Sequence, residues 1–127
     1  MTAQDLKDKL HFYKARITNV IDGDTVDAEV NFGFHGILKL RFRIYQDSGF
    51  YFDTPETRKY KGVNDAQKAH GLEAKARAVE LLLDKDVFLR TYKEGSFRWL
   101  GEIWLEDGRA YADVMISEGF QKKDSYE

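Results

Sequence analysis

The sequence contains no cysteine, which excludes a disulfide scaffold, thiolate zinc sites, iron–sulfur clusters and a cysteine nucleophile. Its three histidines, His11, His35 and His70, are scattered and form no histidine-rich metal motif. Proline occurs once, at Pro55, so there is no proline-rich linker. No apolar run approaches the ~20 residues a helix needs to span a bilayer, and no membrane partner is expected. Neither sign of charge dominates: 20 Lys and Arg face 22 Asp and Glu, a net charge of −2. The global electrostatic footprint of a nucleic-acid binder is therefore missing. Met1 to Leu10 alternates acidic and basic residues and lacks the apolar stretch of a signal peptide. The expected location is the cytoplasm if the chain is complete, and is otherwise open.

What is present is enough for one compact unit. The 127 residues, 43% hydrophobic and 33% charged, predict a single domain over 1–127 with a core of its own. Phe12 to Ile21 is rich in β-formers and runs into the turn pair Asp22-Gly23. Val26, Ala28 and Val30 alternate with Asp27 and Glu29, and Leu38, Leu40, Phe42 and Ile44 alternate with Lys39, Arg41 and Arg43. That period of two predicts strands over Thr25 to Asn31 and Ile37 to Tyr45. After Asn64, a good N-cap, Ala66, Ala69, Leu72, Ala76, Val79 and Leu83 recur at helical spacing and predict a helix of about five turns. Gly71 within it is a helix-propensity cost of about 1 kcal/mol. Strands are expected over Val87 to Tyr92 and Phe97 to Leu105, then a turn at Asp107-Gly108 and a short helix from Asp113 to Glu118, closed by Gly119. The class is α+β, mainly β: a five-stranded OB-type Greek-key barrel with one long helix after the third strand and a short C-terminal helix.

Local charge is more telling than net charge. Asp22, Asp24, Asp27 and Glu29 cluster without a basic residue, whereas Lys39, Arg41, Arg43, Arg58, Lys59 and Lys61 outnumber the acids from Lys39 to Lys61. An acidic knot beside a basic strip suits a cation held next to a phosphate, and equally suits salt-bridged surface. Ile21-Asp22-Gly23-Asp24-Thr25-Val26 reads on its own as a hairpin turn with polar flanks. Asp53-Thr54-Pro55-Glu56-Thr57 reads on its own as a capped turn, since proline holds Thr54 extended. Taken together, they place carboxylates at the strand ends of one small sheet. Hard cations take oxygen donors, and Asp24, Asp53 and the Thr54 carbonyl are candidates. Asp24 and Glu56 stand outside the apolar stripes and are expected to be exposed.

These segments resemble the staphylococcal nuclease (thermonuclease-like) family. The resemblance is carried by Ile21 to Val26, the basic strand ending at Arg43, the run Asp53 to Thr57, and Arg98-Trp99-Leu100-Gly101-Glu102-Ile103, and it covers Lys14 to Lys122. It implies an OB barrel and a Ca²⁺ site of Asp24, Asp53 and the Thr54 carbonyl, with Asp22 behind them. Mg²⁺ or Mn²⁺ are alternatives to Ca²⁺. It further implies that Glu56 orients or deprotonates the attacking water and that Arg43 and Arg98 clamp the phosphate. The implied activity is hydrolysis of DNA or RNA phosphodiesters to 3′-phosphate ends, with no required protein partner. Lys93, Tyr92 and Tyr126 are weaker candidates for substrate contact, Tyr126 by stacking on a base.

The sequence departs from the family in three places. Arg43 and Asp53 are farther apart than in the family, which looks like an insertion around Gln46 to Phe50; a slipped strand would instead bring Arg41 into the place of Arg43. Phe97 stands where the family carries a glycine before the arginine. The chain ends at Glu127, with Ser125 and Glu127 near the positions of the family's nucleotide-covering tyrosines. The alternatives to a nuclease are an OB module that binds nucleic acid or a protein ligand without cleaving, and an engineered loop variant of a nuclease.

Overall fold

The structure is a computed structural model and describes residues 1–46, 52–58, 62–93 and 99–126. The elements run α1 (Ala3–Asp8), β1 (Phe12–Asp22), β2 (Thr25–Gly33), β3 (Gly36–Ile44), α2 (Asp65–Leu82), β4 (Asp86–Lys93), β5 (Trp99–Trp104) and α3 (Tyr111–Ser117). The strands close into a barrel in the order β1-β2-β3-β5-β4. All pairings are antiparallel except β3 with β5, which closes the barrel in parallel. The architecture is the expected one: an OB-like five-stranded barrel, a long helix after the third strand and a short C-terminal helix. Among the described residues, no helix is long and apolar enough to cross a membrane.

Alternation builds the interior. Ala15, Ile17, Val26, Ala28, Val30, Phe42, Ile44, Val87, Leu89 and Ile103 point inward and are buried. The neighbours Asp27, Lys39 and Arg41 stay on the outer face, where Arg41 makes two hydrogen bonds to Asp27 (2.7 and 3.2 Å). Phe52 and Tyr111, both fully buried and 6.1 Å apart edge to face, fix the chain just before Asp53 to α3.

The structure corrects the sequence reading at two elements. The first is α1, which the sequence pattern does not predict. It is closed by a capping box in which the Thr2 hydroxyl accepts from the Asp5 N–H and the Asp5 carboxylate accepts from the Thr2 N–H. None of its residues is buried, so no apolar stripe announces it.

The second correction concerns the face of α2. Asn64 caps it as expected, its Oδ1 accepting from the Gln67 N–H at 2.9 Å. Its buried face, however, is Gln67, Gly71, Ala74, Ala78 and Leu82, while Ala66, Ala69, Leu72 and Ala76 are exposed. The cause is Gly71. A Cβ there would lie 2.1 Å from the Glu56 carbonyl oxygen and 2.7 Å from that of Pro55. The helix turns its hydrogen-only position toward the 55–56 backbone, and the small residues one and two turns away follow it inward.

Candidate active site

The β1–β2 turn consists of Gly23 and Asp24, between the paired residues Asp22 and Thr25. Thr25 lies opposite Arg43 across the β2–β3 ladder, and the Asp24 carbonyl accepts from the Ile44 N–H at 2.8 Å. Register alone therefore brings Asp24 beside Arg43. Residues 52–56 pass over this turn. Gly23 permits the approach, because a Cβ there would meet the Thr54 side chain at 2.7 Å. With Gly71 on the other side, two glycines hold the 53–56 backbone between the hairpin turn and α2.

Asp24 is buried, 6% exposed, against the expectation of an exposed carboxylate. An isolated buried charge is costly, and Asp24 is fully engaged: Oδ2 accepts from the Thr54 N–H (3.0 Å) and Oδ1 from the Thr25 hydroxyl (3.0 Å). Arg43 Nη2 lies 3.5 Å from Asp24 Oδ2 and donates to Asp53 Oδ1 at 2.8 Å, so one guanidinium bridges both carboxylates. Asp53 belongs to a half-buried segment, and its backbone is anchored by the Lys122 N–H, which donates to its carbonyl at 2.8 Å. Asp22 accepts from the Thr57 hydroxyl at 2.8 Å. Glu56 is half-buried, with Lys122 Nζ 3.7 Å away.

These groups line one cleft of about 390 Å³, walled by Asp22, Asp24, Thr25, Arg41, Arg43, Asp53, Thr54, Pro55, Glu56 and Trp99. Its electrostatics are acidic and under strain. Burial pushes the Asp53 carboxyl above the ordinary value, and the attraction of Arg43 does not cancel it; the charge of Asp24 adds to the rise. Burial likewise raises Asp22, opposed by the Thr57 hydrogen bond and the charge of Lys75 and helped by Asp24 and Glu56. The buried Tyr111 hydroxyl, which donates to the Gly23 carbonyl, is also pushed up by burial and by Asp24. Arg43 Nε and Thr54 Oγ1 are buried without a hydrogen-bond partner among the described residues, a spare donor and a spare hydroxyl beside the acids.

Six of the residues singled out from sequence thus meet in one place: Asp22, Asp24, Arg43, Asp53, Thr54 and Glu56. Arg43 rather than Arg41 faces Asp53; Arg41 pairs with Asp27 instead. The segment Gln46 to Phe50, read from sequence as resembling an insertion, lies outside the described residues except for Gln46, as do Phe97, Arg98, and Lys59 and Lys61 of the basic strip. Trp99, next after Arg98 in the chain, lines the cleft. Lys93 ends β4. Tyr92 donates its hydroxyl to Glu102 at 3.1 Å and packs on Tyr45. Tyr126 lies against α2, its hydroxyl 2.7 Å from His70 Nδ1.

The sequence reading gives no site role to Gln121, whose Oε1 accepts from the Asp53 N–H at 3.4 Å, nor to Lys122, Thr57 or Trp99. Thr57 stands inside the Asp53–Thr57 run, and its hydroxyl is the available signal. Gln121 and Lys122 carry no local signal, since only the fold returns the C-terminal segment to Asp53. Among the described residues, no group of three or more histidine, aspartate and glutamate side chains is gathered to hold a metal ion. A cation here would rest on two carboxylates and backbone oxygen. No family model and no curated protein matches the chain.

Proposed function

We propose that this protein is a metal-dependent phosphodiesterase of the staphylococcal nuclease kind, acting on DNA or RNA strands and leaving 3′-phosphate ends. The observation that carries the reading is the convergence of Asp24, Asp53, Glu56 and Arg43, spread over 33 positions, on one cleft. Asp24, Asp53 and the Thr54 carbonyl would hold a hard divalent cation, Ca²⁺ or alternatively Mg²⁺ or Mn²⁺, because the donors are all oxygen and the two carboxylates crowd one another. Such a cation, when bound, neutralises charge on a phosphoryl oxygen and lowers the pKa of water.

The remaining work falls to side chains. Arg43 has a planar fork suited to two phosphate oxygens and already stands at the cleft with an unpartnered Nε. Exchanging Asp53 for a phosphate lets it stabilise the charge that grows as the phosphorus becomes five-coordinate. Glu56, half-buried on the same cleft, aligns the attacking water or takes its proton, a role worth about 10²–10⁴-fold. Lys122 stands beside Glu56 as its ion-pair partner and limits where the carboxylate can point. Arg98 is the second phosphate clamp in this reading.

A second reading is a barrel that binds strands without cutting them, favoured by the way Arg43 already bridges both carboxylates. One experiment separates the two. Labelled single-stranded DNA and RNA are incubated with Ca²⁺, with Mg²⁺ and with chelator, using the native protein, Glu56→Gln and Asp24→Asn. The expected result is divalent-dependent cleavage that falls about 10²-fold or more in Glu56→Gln. Binding without cleavage by the folded native protein selects the second reading. Asparagine is the right replacement at Asp24, because an alanine would strand the buried Thr54 N–H.

A further inference from the structure

A second hollow, of about 490 Å³, opens on the far side of Asp22 and Glu56 and shares both residues with the cleft. Its remaining walls come from Asn19, Val20 and Ile21 of β1, from Thr57 and Arg58, and from Lys75 of α2. Two cations stand among these walls, Arg58 and Lys75. Arg16, Arg41, Arg43, Arg77 and Arg109 each form an ion pair with a carboxylate. Neither Arg58 nor Lys75 forms one among the described residues. The acids of the hollow have other partners, Thr57 for Asp22 and Lys122 for Glu56. Arg58, exposed, and Lys75, half-buried and near enough for its charge to act on Asp22, thus line the hollow without an ion pair.

We propose that this hollow is a second anion subsite, which takes the phosphate next to the one in the cleft on the same polynucleotide strand. The inference rests on the nuclease or strand-binding reading of the cleft and extends it: the ligand is a polymer with at least two successive phosphates, laid across the ridge formed by Asp22 and Glu56. Ile21, half-buried, supplies apolar surface against which sugar or base can pack. The subsite adds affinity and register, while the chemistry stays in the cleft.

The test uses Arg58→Gln/Lys75→Gln, with Lys14→Gln/Lys68→Gln as a control of equal charge change away from both hollows. Binding of a fluorescent single-stranded oligodeoxynucleotide is followed by anisotropy in chelator, from about 50 to 200 mM salt. The expected result is about tenfold weaker binding in the first variant, with the slope of log K against log salt reduced by about 0.7 for each phosphate that is no longer neutralised. The control should bind like the native protein. Equal weakening in both double variants, no weakening in either, or no binding by the native protein overturns the subsite. With Ca²⁺ present, the first variant should raise KM for the oligonucleotide and leave cleavage of bis(p-nitrophenyl) phosphate, which has a single phosphate, unchanged. If the native protein cleaves neither substrate, the nuclease reading fails, and the anisotropy result still decides the subsite.

Discussion

Single residues set the tolerance of this site. Gly71 is the clearest case, because helix propensity and tertiary contact make opposite demands on it. Alanine would gain about 1 kcal/mol of intrinsic helix stability, but its Cβ would sit 2.1 Å from the Glu56 carbonyl, against backbone that has little room to move. Gly71→Ala is expected to lower the melting temperature and to weaken strand binding together, as read by thermal denaturation and anisotropy. A variant that melts higher would show that the 55–56 segment yields easily.

The carboxylates make a second residue-scale prediction. In the folded protein Asp22 and Asp53 have pKa values raised above 3.8, first by burial. Between the ordinary value and the raised one, the folded state binds more protons than the unfolded state. These groups therefore contribute stability at low pH that is lost as pH rises through that window, and their ionised forms oppose folding at neutral pH. Asp22→Asn and Asp53→Asn should each melt higher than the native protein at pH 7 in chelator, with the difference vanishing near pH 3. A lower melting temperature at pH 7 would mean that the Thr57 or Arg43 contact outweighs burial.

At the scale of elements, the β2–β3 hairpin is held in register by a strained turn. Phe34 and His35 both have positive φ, 54° and 59°, between the paired glycines Gly33 and Gly36. Positive φ at both central residues is the geometry that favours Asn-Gly in two-residue hairpins, and a side chain there costs roughly 1–2 kcal/mol per residue. Phe34 is 98% exposed and offsets none of this by packing. Phe34→Asn/His35→Gly should stabilise the protein by about 1 kcal/mol or more in denaturant unfolding, leaving the cleft untouched. The same register sets Thr25 opposite Arg43, so a frame shift in this hairpin would move Arg43 off Asp53. Helix α2 teaches the complementary lesson. Its existence, length and cap are legible from Asn64 and the apolar spacing, but its buried face is not, because Gly71 reads locally as a defect and is in fact the point of contact.

At the scale of the molecule, the C-terminal segment straps the site. Lys122 binds Asp53 through its backbone and Glu56 through its side chain. Farther along, Tyr126 is held by His70 and by Asn64, whose Nδ2 donates to the Tyr126 carbonyl at 2.9 Å. Asn64 thus caps α2 and ties down the tail at once. Removing residues 121–127 discards several hydrogen bonds, each worth about 1 kcal/mol. It should lower stability by about 3 kcal/mol in denaturant unfolding and reduce binding in the cleft, although none of the described residues it removes lines that cleft. Unchanged stability would show that the strap is only resting on the barrel.

Apart from α1, the kinds of element and their order were legible along the chain, because hydrophobic periods of 2 and 3.6 and the turn pair Asp22-Gly23 are local signals. Carboxylates at strand ends also marked Asp24, Asp53 and the Thr54 carbonyl as cation candidates along the chain, while Asp22, Arg43 and Glu56 were singled out by the resemblance of their segments to a nuclease family. The rest came from the closed barrel: that Asp24 is buried and bonded by the Thr54 N–H, that Arg43 rather than Arg41 bridges the acids, that α2 turns Gly71 inward, and that Lys122 reaches Glu56. The physical reason is common to all four. Burial, close backbone approach and ion pairing depend on what the closed barrel sets opposite each residue, and residues far apart in sequence carry no local record of that encounter.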